Sequence, residues 1–169
     1  MSPYTAPPLF SDLVERAMRT AAIHHREQSR KASDLPYITH PAAMAVILMR
    51  AGFDDDAILA AALLHDTIED TDYSEAELAA EFPPAVADIV AALSEQKTDD
   101  RGQKRPWRDR KRDHIDEVAH ASTAARAVVL ADKLHNLGTM LYDQRSGQDI
   151  WSRFNAERED VLWYHRTMV

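Results

Sequence analysis

The sequence predicts an all-α protein folded as a single-domain helical bundle. Three observations carry that prediction. Only four glycines occur in 169 residues. Alanine, leucine and arginine, all strong helix formers, dominate the composition. Apolar residues recur at helical spacing, and alternating strand patterns are missing. A chain of this length suits one domain and buries roughly 68–70% of its unfolded surface, so a core forms without covalent staples.

The elements follow in order. Residues 1–10, short of charge and rich in proline, read as a flexible start. A first helix is expected from Ser11 to Gln28, with Val14, Ala17, Met18, Ala21, Ala22 and His25 on one face. Pro36 and Pro41 bracket Tyr37-Ile38-Thr39-His40, which is expected to be extended because a residue before proline avoids the helical region. A second helix follows Pro41 and stops at Gly52, a C-terminal cap. The third begins near Asp54 and carries Ile58, Leu59, Ala62, Leu63 and Asp66 along one stripe. Ser74-Glu75-Ala76-Glu77 has the form of a capping box for a short fourth helix. Pro83-Pro84 opens a fifth, ending near Glu95. Residues 97–112 read as a basic loop turning helical from about Pro106. Ser122 caps a long helix to about Tyr142, with Leu130, Leu134, Leu137 and Leu141 as its apolar stripe. Gly147 precedes a last helix through Trp151, Phe154, Val161, Leu162 and Trp163.

Charge and composition exclude several function classes. The formal net charge of −8 argues against general nucleic-acid binding. The longest apolar runs, Ala42–Met49 and Ala57–Leu64, fall well short of the about 20 residues of a membrane span. No signal peptide is visible. A soluble, cytoplasmic protein with no nucleic-acid or membrane partner is expected. With no cysteine, any metal must be held by histidine and carboxylate. The segment from Lys97 to Arg112 nevertheless concentrates eight basic residues against three acids. It is either a solvated loop or an arm near an anionic ligand.

The stretch richest in chemistry is His65-Asp66-Thr67-Ile68-Glu69-Asp70. His65 with Glu69, and Asp66 with Asp70, are i,i+4 pairs that project from adjoining sides of one helix end. Asp66 continues the apolar stripe, so it points inward, and a buried carboxylate must be paired or bind a metal. Clustered carboxylates repel one another, which a divalent cation relieves. An acidic helix terminus of purely structural use is disfavoured, because acids at a C-terminal end oppose the macrodipole. Asp132, Asn136 and Thr139 form a polar line beside the leucine stripe, either a site lining or an exposed helix edge. His40 is a further candidate. Two histidines and two aspartates make a mixed nitrogen–oxygen site suited to Mn²⁺, Fe²⁺ or Zn²⁺. Such an ion makes water more acidic and polarises a phosphoryl oxygen.

These residues carry a family resemblance. His65-Asp66 with a distant Asp132 resembles the HD-domain metal-dependent phosphohydrolases. Three blocks in order and spacing resemble the hydrolase domain of Rel/Spo-type alarmone enzymes: Tyr37-Ile38-Thr39-His40-Pro41, Ala61 through Thr71, and Leu130 through Asn136. The similarity spans Ala21 to Leu141 and leaves no room for a synthetase domain, so the chain looks like a stand-alone small alarmone hydrolase with an HD-type bundle. The resemblance implies removal of the 3′-pyrophosphate of (p)ppGpp, giving GDP or GTP and pyrophosphate. It implies His40, His65, Asp66 and Asp132 as ligands of one metal ion, Mn²⁺ in this family. Glu69 and Asp70 would activate the attacking water, Arg30 and Lys31 would contact the base, and Asn136 and Thr139 would line the ribose and phosphate side of a purine nucleotide. The chain departs from the family at Ala32-Ser33-Asp34-Leu35, where glycine is common, and at Gly138, where arginine is common. The same site could act on (p)ppApp, NADPH or a nucleoside monophosphate, or the domain could bind nucleotide without turnover.

Overall fold

The computed structural model describes residues 9–31 and 33–169. The first eight residues of the expected flexible start, and Ala32 of the family-divergent loop, therefore lie outside the described residues. The regular elements of the described chain are all helical: α1 (Asp12–His24), α2 (Thr39–Arg50), α3 (Asp56–Leu64), α4 (Thr67–Asp70), α5 (Glu75–Glu81), α6 (Pro84–Ala91), α7 (Trp107–His120), α8 (Thr123–Arg145), a 3₁₀ turn (Trp151–Arg153) and α9 (Arg158–Met168). Among the described residues there is no strand, only two isolated bridges, Ser29 to Pro36 and Thr98 to Lys104.

Helix α3 is the hub. Leu59 to Leu64 are buried without interruption, as expected of a helix apolar on all sides. Helices α1, α2, α6 and α8 pack against it. Its alanines, Ala60, Ala61 and Ala62, are fully buried and let those neighbours approach closely. Asp55 caps it, accepting from the N–H groups of Ala57 and Ile58 at 2.9 and 3.2 Å. Ser11 caps α1 and donates its hydroxyl to Asp56 at 2.6 Å, tying the two helix starts together. The Ser74–Glu77 capping box of α5 is present in both halves. Gly52 follows α2 at φ +87°, a conformation that side chains with a Cβ rarely adopt.

Several boundaries differ from the sequence expectation. Helix α1 ends at His24 rather than Gln28, and α6 at Ala91 rather than near Glu95. The segment 37–40 is not extended: Ile38 is helical and α2 begins at Thr39, ahead of Pro41. A proline in the first turn loses only an N–H that has no helical partner. The buried contacts of His40 then override the local preference of a pre-proline residue. The expected single helix through Asp70 is broken. It stops at Leu64, turns at His65-Asp66, and resumes as the four-residue α4.

In the basic segment, residues 97–106 are a loop, but 107–112 already belong to α7. Arg105 donates its N–H to the Lys97 carbonyl at 3.0 Å, closing the loop at its base. The expected single last helix is a 3₁₀ turn followed by α9. The largest correction concerns α8. Its buried face is Ala125, Ala127, Val128, Val129 and Ala131, whereas Leu130, Leu134 and Leu141 are exposed. The leucine stripe and the small-residue face have the same helical period. Packing chose the smaller residues, and that choice turns Asp132 and Asn136 inward.

Candidate active site

A cavity of about 310 Å³ opens where the start of α2, the α3–α4 turn, α7, α8 and α9 converge. Its inner wall holds His40, His65 and Asp132, whose nearest ligand atoms all lie within 4.8 Å of one another. His40 is buried at the start of α2, with Nε2 3.1 Å from Asp132 Oδ1. Its other nitrogen, Nδ1, lies 2.7 Å from His135 Nδ1. His65 donates Nδ1–H to the Ala62 carbonyl at 2.9 Å, which leaves Nε2 as the ring's free lone pair. That atom sits 2.8 Å from Asp66 Oδ2 but lacks hydrogen-bond alignment, so it is buried with no hydrogen-bond partner among the described residues. A buried imidazole nitrogen left unpartnered beside two carboxylates is the donor pattern of a divalent cation site. The residues present fit such an ion.

The carboxylates draw positive charge to this wall. Burial alone would push the His65 imidazole down, but the Asp66 carboxylate beside it outweighs burial and raises it to about 9, so a cation binding at Nε2 must displace a proton from the ring. Burial opposes the charge on Asp132, yet Lys133, 2.7 Å from its Oδ2, and the imidazoles of His40 and His65 hold it well below the usual carboxylate range. Asp66 is likewise held low against burial by His65 and by the Tyr37 hydroxyl, which donates to its Oδ2. Two aspartates stay ionised in a pocket that would otherwise favour their neutral forms.

Glu69 and Asp70 stand on α4 at the rim of the same cavity. Burial raises Glu69 above the ordinary glutamate value, although Lys97 opposes this. The Lys97 ammonium lies 2.9 Å from Glu69 Oε1 and 2.8 Å from Asp70 Oδ1. Across the mouth, Arg30 donates to Asn136 Oδ1 at 2.8 Å and lies over the Tyr37 ring. Asn136 in turn donates to Asp132 Oδ1 at 2.5 Å. Lys31 lines the cavity near the Phe154 ring. Of the ten expected site residues, only Thr139 is outside the cavity lining. Its hydroxyl is turned to the Asn136 carbonyl at 2.9 Å. Gly138 is also outside the lining, and a side chain there would meet open space.

Sequence reasoning missed the far wall. Lys111, His114, Lys133 and Tyr164 line it together with Glu95. Glu95 pairs with Arg110 and Lys111, and the ring of Tyr164 lies 4.8 Å from the Lys111 ammonium and 5.1 Å from that of Lys133. Burial and the two lysines lower His114 to about 4. Lys133 could have been found from its place beside Asp132, and Tyr37 from its place in the Tyr-Ile-x-His-Pro block. Tyr164 carries no local signal, and Lys97 is legible only as one charge of the basic run.

Comparison with known proteins gives consistent results. A family profile described as "HD domain" matches residues 17–162. The human guanosine-3′,5′-bis(diphosphate) 3′-pyrophosphohydrolase MESH1 is 43% identical over 139 residues, 81% of this chain and 73% of that protein. The mouse counterpart is 43% identical over 119 residues, 69% of this chain and 63% of its own length. A GTP pyrophosphokinase of Streptomyces coelicolor is 40% identical over 148 residues, 85% of this chain but 16% of that much longer protein. Among solved structures, a metazoan SpoT orthologue described as hydrolysing ppGpp superimposes with a TM-score of 0.79 at 28% identity, covering 97% of this chain and 86% of its own.

Proposed function

The chain belongs to the HD-domain family, and on that premise we propose that it is a metal-dependent 3′-pyrophosphohydrolase of (p)ppGpp-type alarmone nucleotides. Water adds across the bond between the nucleotide's 3′ oxygen and its pyrophosphate. The 3′ oxygen leaves with a proton, the pyrophosphate keeps the water oxygen, and GDP or GTP is released. The observation that carries this reading is the meeting, in one cavity, of the His40–His65–Asp132 cluster, the Glu69–Asp70 pair and the cations of the opposite wall. The naming of the human and mouse relatives as 3′-pyrophosphohydrolases supports the choice of substrate.

His40, His65 and Asp132 would hold the ion, with Asp66 as fourth ligand. When bound, a divalent cation there, Mn²⁺ in this reading, supplies Lewis-acid polarisation and makes water more acidic. For His40 to ligate through Nε2, its Nδ1 must carry the proton and donate it to His135. His135 must then be neutral, in keeping with its lowering to about 4, for which burial is the largest cause. Glu69 accepts the proton of the attacking water, a role that its raised affinity for protons suits. Asp70 orients that water. Arg30 offers a planar guanidinium face to the purine, with Lys31 beside it. Asn136 contacts the ribose and phosphate side, and Thr139 acts by holding the Asn136 backbone.

Purified protein with Mn²⁺, incubated with ppGpp, pppGpp, ppApp, NADPH and nucleoside monophosphates, should release pyrophosphate from ppGpp and pppGpp and leave GDP and GTP on chromatography. Release of inorganic phosphate from NADPH or a monophosphate, with the alarmones untouched, would replace this reading. Preference for ppApp would change only the base.

A further inference from the structure

We infer that Lys97 is a positioning residue for the acidic pair, holding Glu69 and Asp70 at the fixed separation that proton removal from the attacking water requires. The inference rests on the hydrolase reading above. It separates Lys97 from the rest of the basic segment, whose charges do other things.

The two carboxylates are poorly held by their own helix. Helix α4 is four residues long, with a turn on either side, and only Thr67 in it is buried. A single helical turn leaves adjacent side chains pointing in different directions. Their like charges also repel. The backbone of α4 is tied down, since Gln28 donates to the Asp70 carbonyl at 2.5 Å, but this does not fix the carboxylates. Glu69 Oε2 receives only a long contact of 3.5 Å from the Glu95 N–H. Apart from that, the one partner of either carboxylate among the described residues is the Lys97 ammonium. It donates to Asp70 Oδ1 at 2.8 Å and to the Glu69 carbonyl at 3.2 Å, and its charge lies 2.9 Å from Glu69 Oε1 as an ion pair. All three contacts are to α4.

Lys97 is itself fixed by backbone. Its carbonyl accepts from Arg105, and Thr98 pairs with Lys104. The Asp99 side chain accepts from the N–H groups of Arg101 and Gln103, which rigidifies the loop beyond. The remaining cations are engaged elsewhere or face solvent. Arg105 pairs with Asp113, Arg108 with Asp160, and Arg110 and Lys111 with Glu95. Arg101 and Lys104 are exposed. Lys97 therefore couples the closed base of the loop to the two groups that handle the water.

The test compares Lys97→Met, which keeps the stem and loses the charge, with Lys97→Arg, which keeps the charge. Each is measured on whichever substrate the wild-type protein turns over best, so that a wrong substrate assignment does not bear on the result. Lys97→Met is expected to lower kcat about tenfold or more while KM stays within about twofold, since only the step after binding is affected. Mn²⁺ binding, read by titration without substrate, should match wild type, as should the unfolding midpoint. Lys97→Arg should recover most of kcat. A raised KM with unchanged kcat would assign Lys97 to substrate capture and overturn the inference. So would loss of Mn²⁺ binding, which would make the bridge part of the metal site. If Lys97→Met fails to fold, Lys97→Arg decides alone: a kcat more than about tenfold below wild type overturns the inference.

Discussion

On one side of the cavity, α2, α3 and α8 meet through small apolar residues. On the other, the 97–106 loop, α7 and α9 meet it through charge. Ala60, Ala61, Ala62, Ala125 and Val128 are fully buried on the side of the His40–His65–Asp132 cluster. Interiors of this kind pack like crystals and yield little. The opposite wall is stitched by Glu95 with Arg110 and Lys111, by Arg108 with Asp160, and by Tyr164 against two lysine ammoniums. Such contacts are individually weak where exposed and sensitive to salt and pH. The apolar side suits a metal centre, whose donors tolerate little movement. The charged side suits recognition of a flexible polyanion. On this division, changes on the first side should abolish chemistry outright, and changes on the second, apart from Lys97 where the loop meets α4, should grade binding or pH response.

The largest effect should come from the ligand cluster. His65→Ala and Asp132→Asn are each expected to lose retained metal and activity together, because too few donors then remain to hold a labile ion. Metal content by elemental analysis after gel filtration checks this. Asparagine is the better choice at 132. Alanine would strand Lys133, which is buried against Asp132, and removing one partner of a buried pair destabilises by about 3–5 kcal/mol. Full metal content in Asp132→Asn would remove Asp132 from the ligand set.

Next is Glu69→Gln, which keeps shape and loses the proton acceptor. Turnover should fall by about 10²-fold or more with metal retained. In the wild type, the acid limb of the activity profile should lie above the ordinary glutamate value, because burial raises Glu69 and the proposed role requires it ionised. Activity should therefore be lost as the pH falls through that raised value. Release of metal from Glu69→Gln would move Glu69 into the ligand set.

The same division explains what the sequence made legible. The side with the proposed ligands is written in short blocks: His40 with its flanking Tyr37 and Pro41, His65 with Asp66, and Asp132 with Asn136 four residues on. Each block is local, so periodicity and residue type expose it. The errors there were of geometry, as with the break at His65-Asp66 and the leucine stripe of α8, where two adjacent faces satisfy one helical period. The charged wall is assembled from distant positions. Glu95 meets Lys111 sixteen residues on, and Tyr164 meets Lys133 thirty-one residues back. No local pattern marks such pairs. In the sequence, Lys97–Arg112 is one run of positive charge. In the structure most of those charges already have partners, and each does something different.

A smaller effect is expected from His114 on the charged side. An imidazole in the unfolded chain takes up its proton near pH 6.5, whereas folded His114 does so only near 4. Between these values the unfolded state binds more protons, so stability falls as the pH falls. From pH 7 to pH 5 this group should remove about 2 kcal/mol. Denaturant unfolding at both values, with chelator present to exclude metal release, should show His114→Gln losing less stability than wild type. Equal losses would mean that His114 titrates normally and that the wall is wetter than the geometry implies.

The smallest effect concerns the loop tip. Arg101 and Lys104 are exposed, while Arg105, which the bare sequence groups with them, is engaged with Asp113. Neutralising Arg101 and Lys104 together should therefore raise KM, or lower kcat/KM, by about a few-fold and leave kcat alone, since long-range attraction steers an anion without touching the chemical step. The defect should shrink as ionic strength rises, because at about 0.15 M salt charges separated by more than about 8 Å are largely screened. Adding Arg105→Gln to that pair should cost stability through the lost Asp113 contact rather than extend the KM effect. An unchanged kcat/KM at low salt would make the tip a solvated loop and confine the recognition side to α7, α9 and the Arg30–Lys31 pair. A fall in kcat with KM unchanged would be the more damaging result. It would bring a tip cation into contact with the reacting phosphate and erase the division between a wall that does chemistry and a wall that captures substrate.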